Sequence, residues 1–137
     1  MVDSQLRKIR EEIVQRHIDT ELAGDLEGAV ATFAPGRVSY DIPAIDRLMD
    51  EPEVREYLAD FMTSTAPDRH MEVLRLHHAD DAVIAEVRLD VTMIGSGHPE
   101  GGTRISGRHC VIFRFDGEEL WQETSYGSAV TGELDNS

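Results

Sequence analysis

VIFRFDGEELWQETSYG, residues 111–127, alternates apolar and polar side chains on both sides of an Asp116-Gly117 pair. Period-two alternation interrupted by Asp-Gly is the pattern of two antiparallel strands joined by a tight turn. Working outward, the same period runs back to about residue 69. It predicts strands near 70–78, 82–94, 104–116 and 119–130, with Asp80-Asp81 as a second tight turn and GSGHPEGG, residues 95–102, as a longer loop. Ahead of the strands the spacing is helical. Leu6, Ile9, Ile13 and His17 recur at steps of three and four over residues 4–23, flanked by Val14, Ile18 and Leu22. Asp3 or Ser4 can cap the start and Gly24 the end. Asp25 opens a short helix carrying Leu26, Ala29, Val30 and Phe33, stopped at Pro35-Gly36, and residues 37–42 read as a short strand. Asp50 and Glu53 form a capping-box pattern at the start of a third helix, whose apolar face is Val54, Tyr57, Leu58, Phe61 and Met62. Three helices followed by a run of strands is an α+β arrangement.

The 137 residues suit one domain, 1–137, with a core over about 6–130 and an acidic tail over 131–137. Thirteen Lys and Arg stand against 27 Asp and Glu, a formal charge of −14, which argues against nucleic acid and anionic membrane as partners. No apolar run reaches the length of a membrane span, and the expected location is cytoplasmic. The lone Cys110 precludes an intrachain disulfide and a cysteine-based metal cage. His77 and His78 are adjacent on a strand and so point to opposite faces, and His98 sits among glycines. No zinc spacing, phosphate loop or dinucleotide fingerprint is present, so no metal and no cofactor are expected.

IVQRHIDTELAGDLEGAVATFAP (13–35), YDIP (40–43) and the closing hairpin resemble the nuclear-transport-factor-2-like superfamily, most closely its ketosteroid isomerase and SnoaL-like polyketide cyclase branches. The resemblance covers roughly residues 6–130. It implies a cone-shaped, curved antiparallel sheet wrapped around the three N-terminal helices, with a pocket inside and a homodimer formed through the sheet. The fold hosts isomerases, cyclases, epoxide hydrolases and binding modules alike.

Several residues acquire candidate roles from it. Asp41 in YDIP matches the isomerase base, and a carboxylate in a partly apolar pocket can take a proton from carbon beside a carbonyl. A turn aspartate bonded to nearby backbone is the simpler alternative. His17 falls where those isomerases place an oxyanion-hole tyrosine, and it could equally be a core histidine. Val111 replaces their second donor, an aspartic acid. His109, two residues before Val111, shares its face by strand alternation and could join Asp41 in the pocket, or lie solvated at the rim. In AEVRLDVTM, residues 85–93, alternation alone puts Glu86, Arg88, Asp90 and Thr92 in water. The resemblance instead turns Arg88 and Asp90 inward, as in the limonene epoxide hydrolases, and makes Val87, Leu89 and Val91 a dimer face. On the last strand Gln122, Thr124, Tyr126 and Ser128 share the pocket face, with Ser128 standing near a catalytic aspartate of the cyclases. Trp121 and Glu123 then face outward, and a one-residue slip of this strand would exchange the two faces and bring acidic Glu123 to the pocket. Tyr40, Phe61, Val111 and Phe113 complete the expected wall. The function these features imply is cofactor-independent acid–base chemistry on a hydrophobic carbonyl- or epoxide-bearing small molecule, of the isomerase, cyclase or hydrolase class, epoxide hydrolase activity included. The alternative is a non-catalytic ligand-binding or dimerisation module on the same fold.

Overall fold

The computed structural model describes residues 2–95 and 97–127, so Ser128 and the acidic tail lie outside the described residues. Helix α1 spans Ser4–Ala23. Asp3 caps it by accepting from the Leu6 amide at 2.8 Å, and Gly24 ends it in the left-handed region at φ 75°. Helix α2, Leu26–Val30, is capped by Asp25. Strand β1 is Tyr40–Ile42, shorter than the predicted 37–42. A 3₁₀ turn at Pro43–Ile45 leads into β2, Arg47–Met49, which has no period-two signal because it is only three residues long. Helix α3, Glu51–Asp60, opens with the expected reciprocal capping box between Asp50 and Glu53 and passes into a π-helical turn at Phe61–Thr65. The sheet is completed by β3 (His70–Ala79), β4 (Ala82–Met93), β5 (Thr103–Asp116) and β6 (Glu119–Tyr126).

The six strands run in the order β2-β1-β6-β5-β4-β3. All neighbours are antiparallel except β1 and β6, which run parallel, so the sheet is mixed where the resemblance implied an antiparallel one. The helices close one face of this curled sheet. Their apolar stripes meet its concave side in one cluster that includes Val14, Ile18, Phe33, Val54, Leu58, Val87, Val111 and Phe113.

Two arginines, Arg10 buried and Arg69 half-buried, fix α1 in place. Arg10, 2% exposed, donates from Nε to the Gly117 carbonyl and from Nη1 to the Asp80 carbonyl, both at 2.9 Å. One guanidinium thus ties the helix to both hairpin turns. Arg69 donates to the carbonyls of Glu21, Met62 and Ala66, adding a side-chain donor at the end of α1 and at the π turn. These ties hold the inward residues of α1 at a fixed depth in the curl. Replacing Asp50 by Ala removes a side-chain acceptor at the α3 N-terminus and is expected to cost about 1 kcal/mol, read as a lower urea midpoint at unchanged slope.

Candidate functional site

The register of β6 decides which side chains face the helices. A regular hairpin around Gly117 would set Phe113 opposite Gln122. A bulge intervenes: Arg114 pairs with Gln122 but Phe115 pairs with Leu120, leaving Trp121 as an extra residue. Phe113 therefore lies opposite Glu123. Because side-chain direction has period two, the one-residue slip turns Glu123 inward and Gln122 and Thr124 outward. Strand β1 follows the same register, with Tyr40 beside Glu123 and Asp41 beside Thr124.

This corrects several expectations. Asp41 is half-buried on the convex side, where it accepts from the Thr124 hydroxyl at 3.4 Å. Gln122 donates to the Ser39 hydroxyl at 3.1 Å. Glu123, expected outside, is inside. On β4 the simpler reading of alternation holds. Val87, Leu89 and Val91 face the interior, so they do not form a dimer face, while Arg88 is exposed and pairs across with Arg108. Asp90 accepts from Ser106 on the same outer surface.

The interior face encloses a cavity of about 110 Å³. Its wall is mostly apolar and aromatic, with Tyr40, Tyr57, Phe61, Val111 and Phe113 among its members, and His109, Ser125 and Tyr126 contribute toward one end. Tyr57 and Phe61, one helical turn apart on α3 and its π extension, stack at 6.0 Å. Tyr40, Phe61, Val111, Phe113 and His109 line the cavity, and Tyr126, on the strand side of Gln122 and Thr124 and exposed, only borders its end. Asp41, Arg88, Asp90, Gln122 and Thr124 do not line it.

Glu21 and Glu123 also line this cavity, and both are buried. Behind them stands His17, fully buried. Its Nδ1 lies 2.7 Å from the Thr32 hydroxyl, which itself donates to the Ala29 carbonyl, so Nδ1–H is the donor to Thr32. Its Nε2 lies 2.8 Å from Tyr40 Oη, 3.2 Å from Glu123 Oε1 and 3.3 Å from Glu21 Oε1. Tyr40 spends its single proton on Glu21, so its oxygen accepts from Nε2–H. Both ring nitrogens then carry protons, and His17 is an imidazolium between two carboxyl groups.

The electrostatics agree with this assignment. Burial by itself would lower the His17 pKa, but the charge of Glu21 and the hydrogen bonds to Glu123 and Glu21 overcome it and push the value up to about 10. Burial works to raise Glu21, yet His17 and the Tyr40 hydroxyl hold it below the ordinary carboxylate value. Glu123 goes the other way: burial and the adjacent Glu21 charge raise it despite His17. The Tyr40 phenol is pushed up by burial and by Glu123 and Glu21. Two carboxyls within reach of one imidazolium are therefore driven apart in acidity. Ligand atoms of His17, Glu21 and Glu123 also lie within 4.8 Å of one another, a grouping with which a metal ion is compatible. No sequence spacing disclosed that grouping, because Glu123 comes from the far end of the chain. In the geometry described, Nε2–H satisfies these atoms directly.

Fold and site together define an α+β roll of the ketosteroid isomerase-like kind, with a buried ionic cluster at the wall of its cavity. The chain belongs to the SnoaL-like domain family, whose family model matches residues 14–123. Solved structures of similar shape include a putative SnoaL-like polyketide cyclase from Jannaschia sp. CCS1, at 15% identity and TM-score 0.75 over 95% of this chain and 92% of that one. The epoxide hydrolase/cyclase-like enzyme SalBIII, which has a role in pyran ring formation in the polyether salinomycin, is 18% identical with TM-score 0.74 over 89% of this chain and 93% of its own. A hypothetical protein of ketosteroid isomerase-like fold from Catenulispora acidiphila DSM 44928, in complex with trimethylamine, is 20% identical with TM-score 0.70 over 85% of each chain. No curated protein matches this chain in sequence.

Proposed function

We propose that the cavity binds a compact, largely apolar molecule bearing a carbonyl or epoxide oxygen, and that Glu123 and Glu21 perform acid–base chemistry on it. The observation that carries this reading is the pair of buried carboxyl groups of opposed acidity on an otherwise apolar cavity wall. Pairs of titratable groups pushed apart by their surroundings mark the acid and the base. Glu123, which retains its proton longer, donates to the ligand oxygen. Glu21, kept ionised by His17 and Tyr40, is the acceptor.

For a ketone, Glu21 takes the α-proton while Glu123 gives its proton to the carbonyl oxygen, producing an enol. The reverse transfers restore both residues and leave the proton on either face or position. For an epoxide, Glu123 protonates the oxygen as the C–O bond breaks. Water, or a hydroxyl of the ligand itself, attacks the carbon and loses its proton to Glu21. That step yields a diol or a cyclic ether, the hydrolase and cyclase outcomes. His17 is a positioning residue here, fixing the charge on Glu21. Size limits the choice, since cavities of about 150 Å³ hold a benzene ring. At about 110 Å³ the cavity is smaller than that and partly open, so it suits at most one small ring, with any further part of the ligand extending through its opening.

Deuterium loss from α-deuterated cyclohexanone and diol formation from cyclohexene oxide test this directly. Wild-type protein is expected to accelerate at least one of them. Glu123→Gln and Glu21→Gln should each lose about 100-fold or more, while Arg88→Ala and Asp41→Asn on the convex face retain the rate. Neither reaction exceeding buffer, or Glu123→Gln running at full rate, overturns the reading. The mutual saturation of the ionic cluster favours a second reading, a binding module. It predicts that both compounds bind but remain unchanged.

A further inference from the structure

His109 presents a nitrogen whose partner is missing. It lines the cavity from β5, and its Nε2 is buried with no hydrogen-bond partner among the described residues. The other ring nitrogen, Nδ1, sits against residue 127, and the neighbouring Tyr126 backbone favours the protonated ring, which suits Nδ1 as the nitrogen that carries the proton. Burial lowers the His109 pKa. With Nδ1 as donor, the neutral ring leaves Nε2 as a bare acceptor. Such an atom, buried and unpaired, is unfavourable and calls for an explanation.

The seat of this ring is built by the chain. A Cβ at residue 127 would come within 1.7 Å of His109 Nδ1, so only glycine lets the imidazole occupy its place against β6. The ring also stands at a defined distance from the ionic cluster. His109 is four residues along β5 from Phe113, which faces Glu123, a separation of about 13 Å at backbone level. The apolar wall lies between the two.

From this we infer that His109 Nε2 is a recognition point for a hydroxyl or N–H donor at the end of the ligand remote from its acceptor oxygen. The ligand class is then a compact hydroxy-ketone, hydroxy-epoxide or amide analogue, gripped at two ends: its oxygen at Glu123 and its donor at His109. This rests on the reading of the cavity as a ligand site given above, and it adds the polar group that selects among apolar ligands.

The test compares 4-hydroxycyclohexanone with cyclohexanone in titrations followed by NMR. The hydroxy compound is expected to bind wild-type protein about tenfold more tightly. His109→Phe, which keeps a ring but has no acceptor, should bind both equally, and Gly127→Ala should lose the preference in the same way. Retained cyclohexanone binding shows that each variant is folded. In the free protein at pH 7, long-range ¹H–¹⁵N correlation should find His109 protonated at Nδ1 alone. Equal binding in the wild type, a preference that survives His109→Phe, or a proton on Nε2 each overturns the inference. Cyclohexanone that binds and exchanges its α-deuterium without any gain from the hydroxyl removes only the His109 inference. A hydroxyl preference without exchange in any variant removes only the acid–base reading. Binding of neither compound overturns both.

Discussion

Unfolding titrations between pH 6.5 and 10 are expected to show stability falling steadily, by roughly 5 kcal/mol at most. The cause is His17. Its pKa is 6.5 when unconstrained and about 10 in the folded protein. Below 6.5 both states hold the proton and the stabilisation is complete. Above it the unfolded chain releases the proton while the folded one keeps it, so each further pH unit removes about 1.4 kcal/mol until the folded pKa is passed. The neighbours reinforce the slope. Glu123 is raised, so it too favours the folded state less as pH climbs past its ordinary value of 4.5, and the raised Tyr40 extends the loss above 10. Glu21 is lowered and has the opposite sense, adding stability above 4.5 that disappears in acid. The maximum should therefore lie on the mildly acidic side of neutrality. A domain of this size has about 5–15 kcal/mol in total, so the effect should move the urea midpoint visibly. Glu21→Gln removes the charge that does most to raise the His17 pKa and should flatten the curve. A wild-type midpoint that is level from pH 6.5 to 10 would show that His17 is not held as an imidazolium.

The larger outline of the protein was legible in its residues, while the site was legible only in part. The DG turn, the alternation on β4 and β5 and the Asp50-Glu53 cap are local signals, and the elements they announced are present at nearly the expected bounds. Orientation on β6 was not local. One bulged residue, Trp121, separates the regular register from the real one, and nothing in a stretch of alternating residues marks which of them is extra. That slip carried Asp41 out of the site and concealed Glu123, because β1 takes its register from β6. On β4 the resemblance and the alternation disagreed, and alternation was right: the charges of Arg88 and Asp90 are cheaper in water than in a 110 Å³ apolar cavity. Glu21 had a signal that went unused. It follows His17 by four residues and Val14 by seven, on the buried stripe of α1. A carboxylate on such a stripe requires a partner.

That partner is the subject of the strongest single substitution. His17→Ala is expected to cost roughly 3–5 kcal/mol at pH 7, the range for removing one member of a buried ion pair. Glu21 and Glu123 would then face each other with no cation between them, and Tyr40 would lose its donor. Loss of volume also contributes, since a fully buried ring is replaced by a methyl group. The two causes separate by pH. A packing defect costs the same at pH 6.5 and pH 10, whereas the ionic contribution of His17 is complete at 6.5 and lost by about 10. The penalty should accordingly shrink as the pH rises through this window, because the alkaline slope of the wild type should vanish from the variant. Replacing the whole cluster tests the same logic from the other side. A His17→Leu, Glu21→Gln, Glu123→Gln variant leaves no charge to compensate, and it should recover most of the stability that His17→Ala loses while lacking any acid–base activity. A His17→Ala penalty that is constant with pH, and that the triple variant does not relieve, would mean that the histidine is held by packing alone.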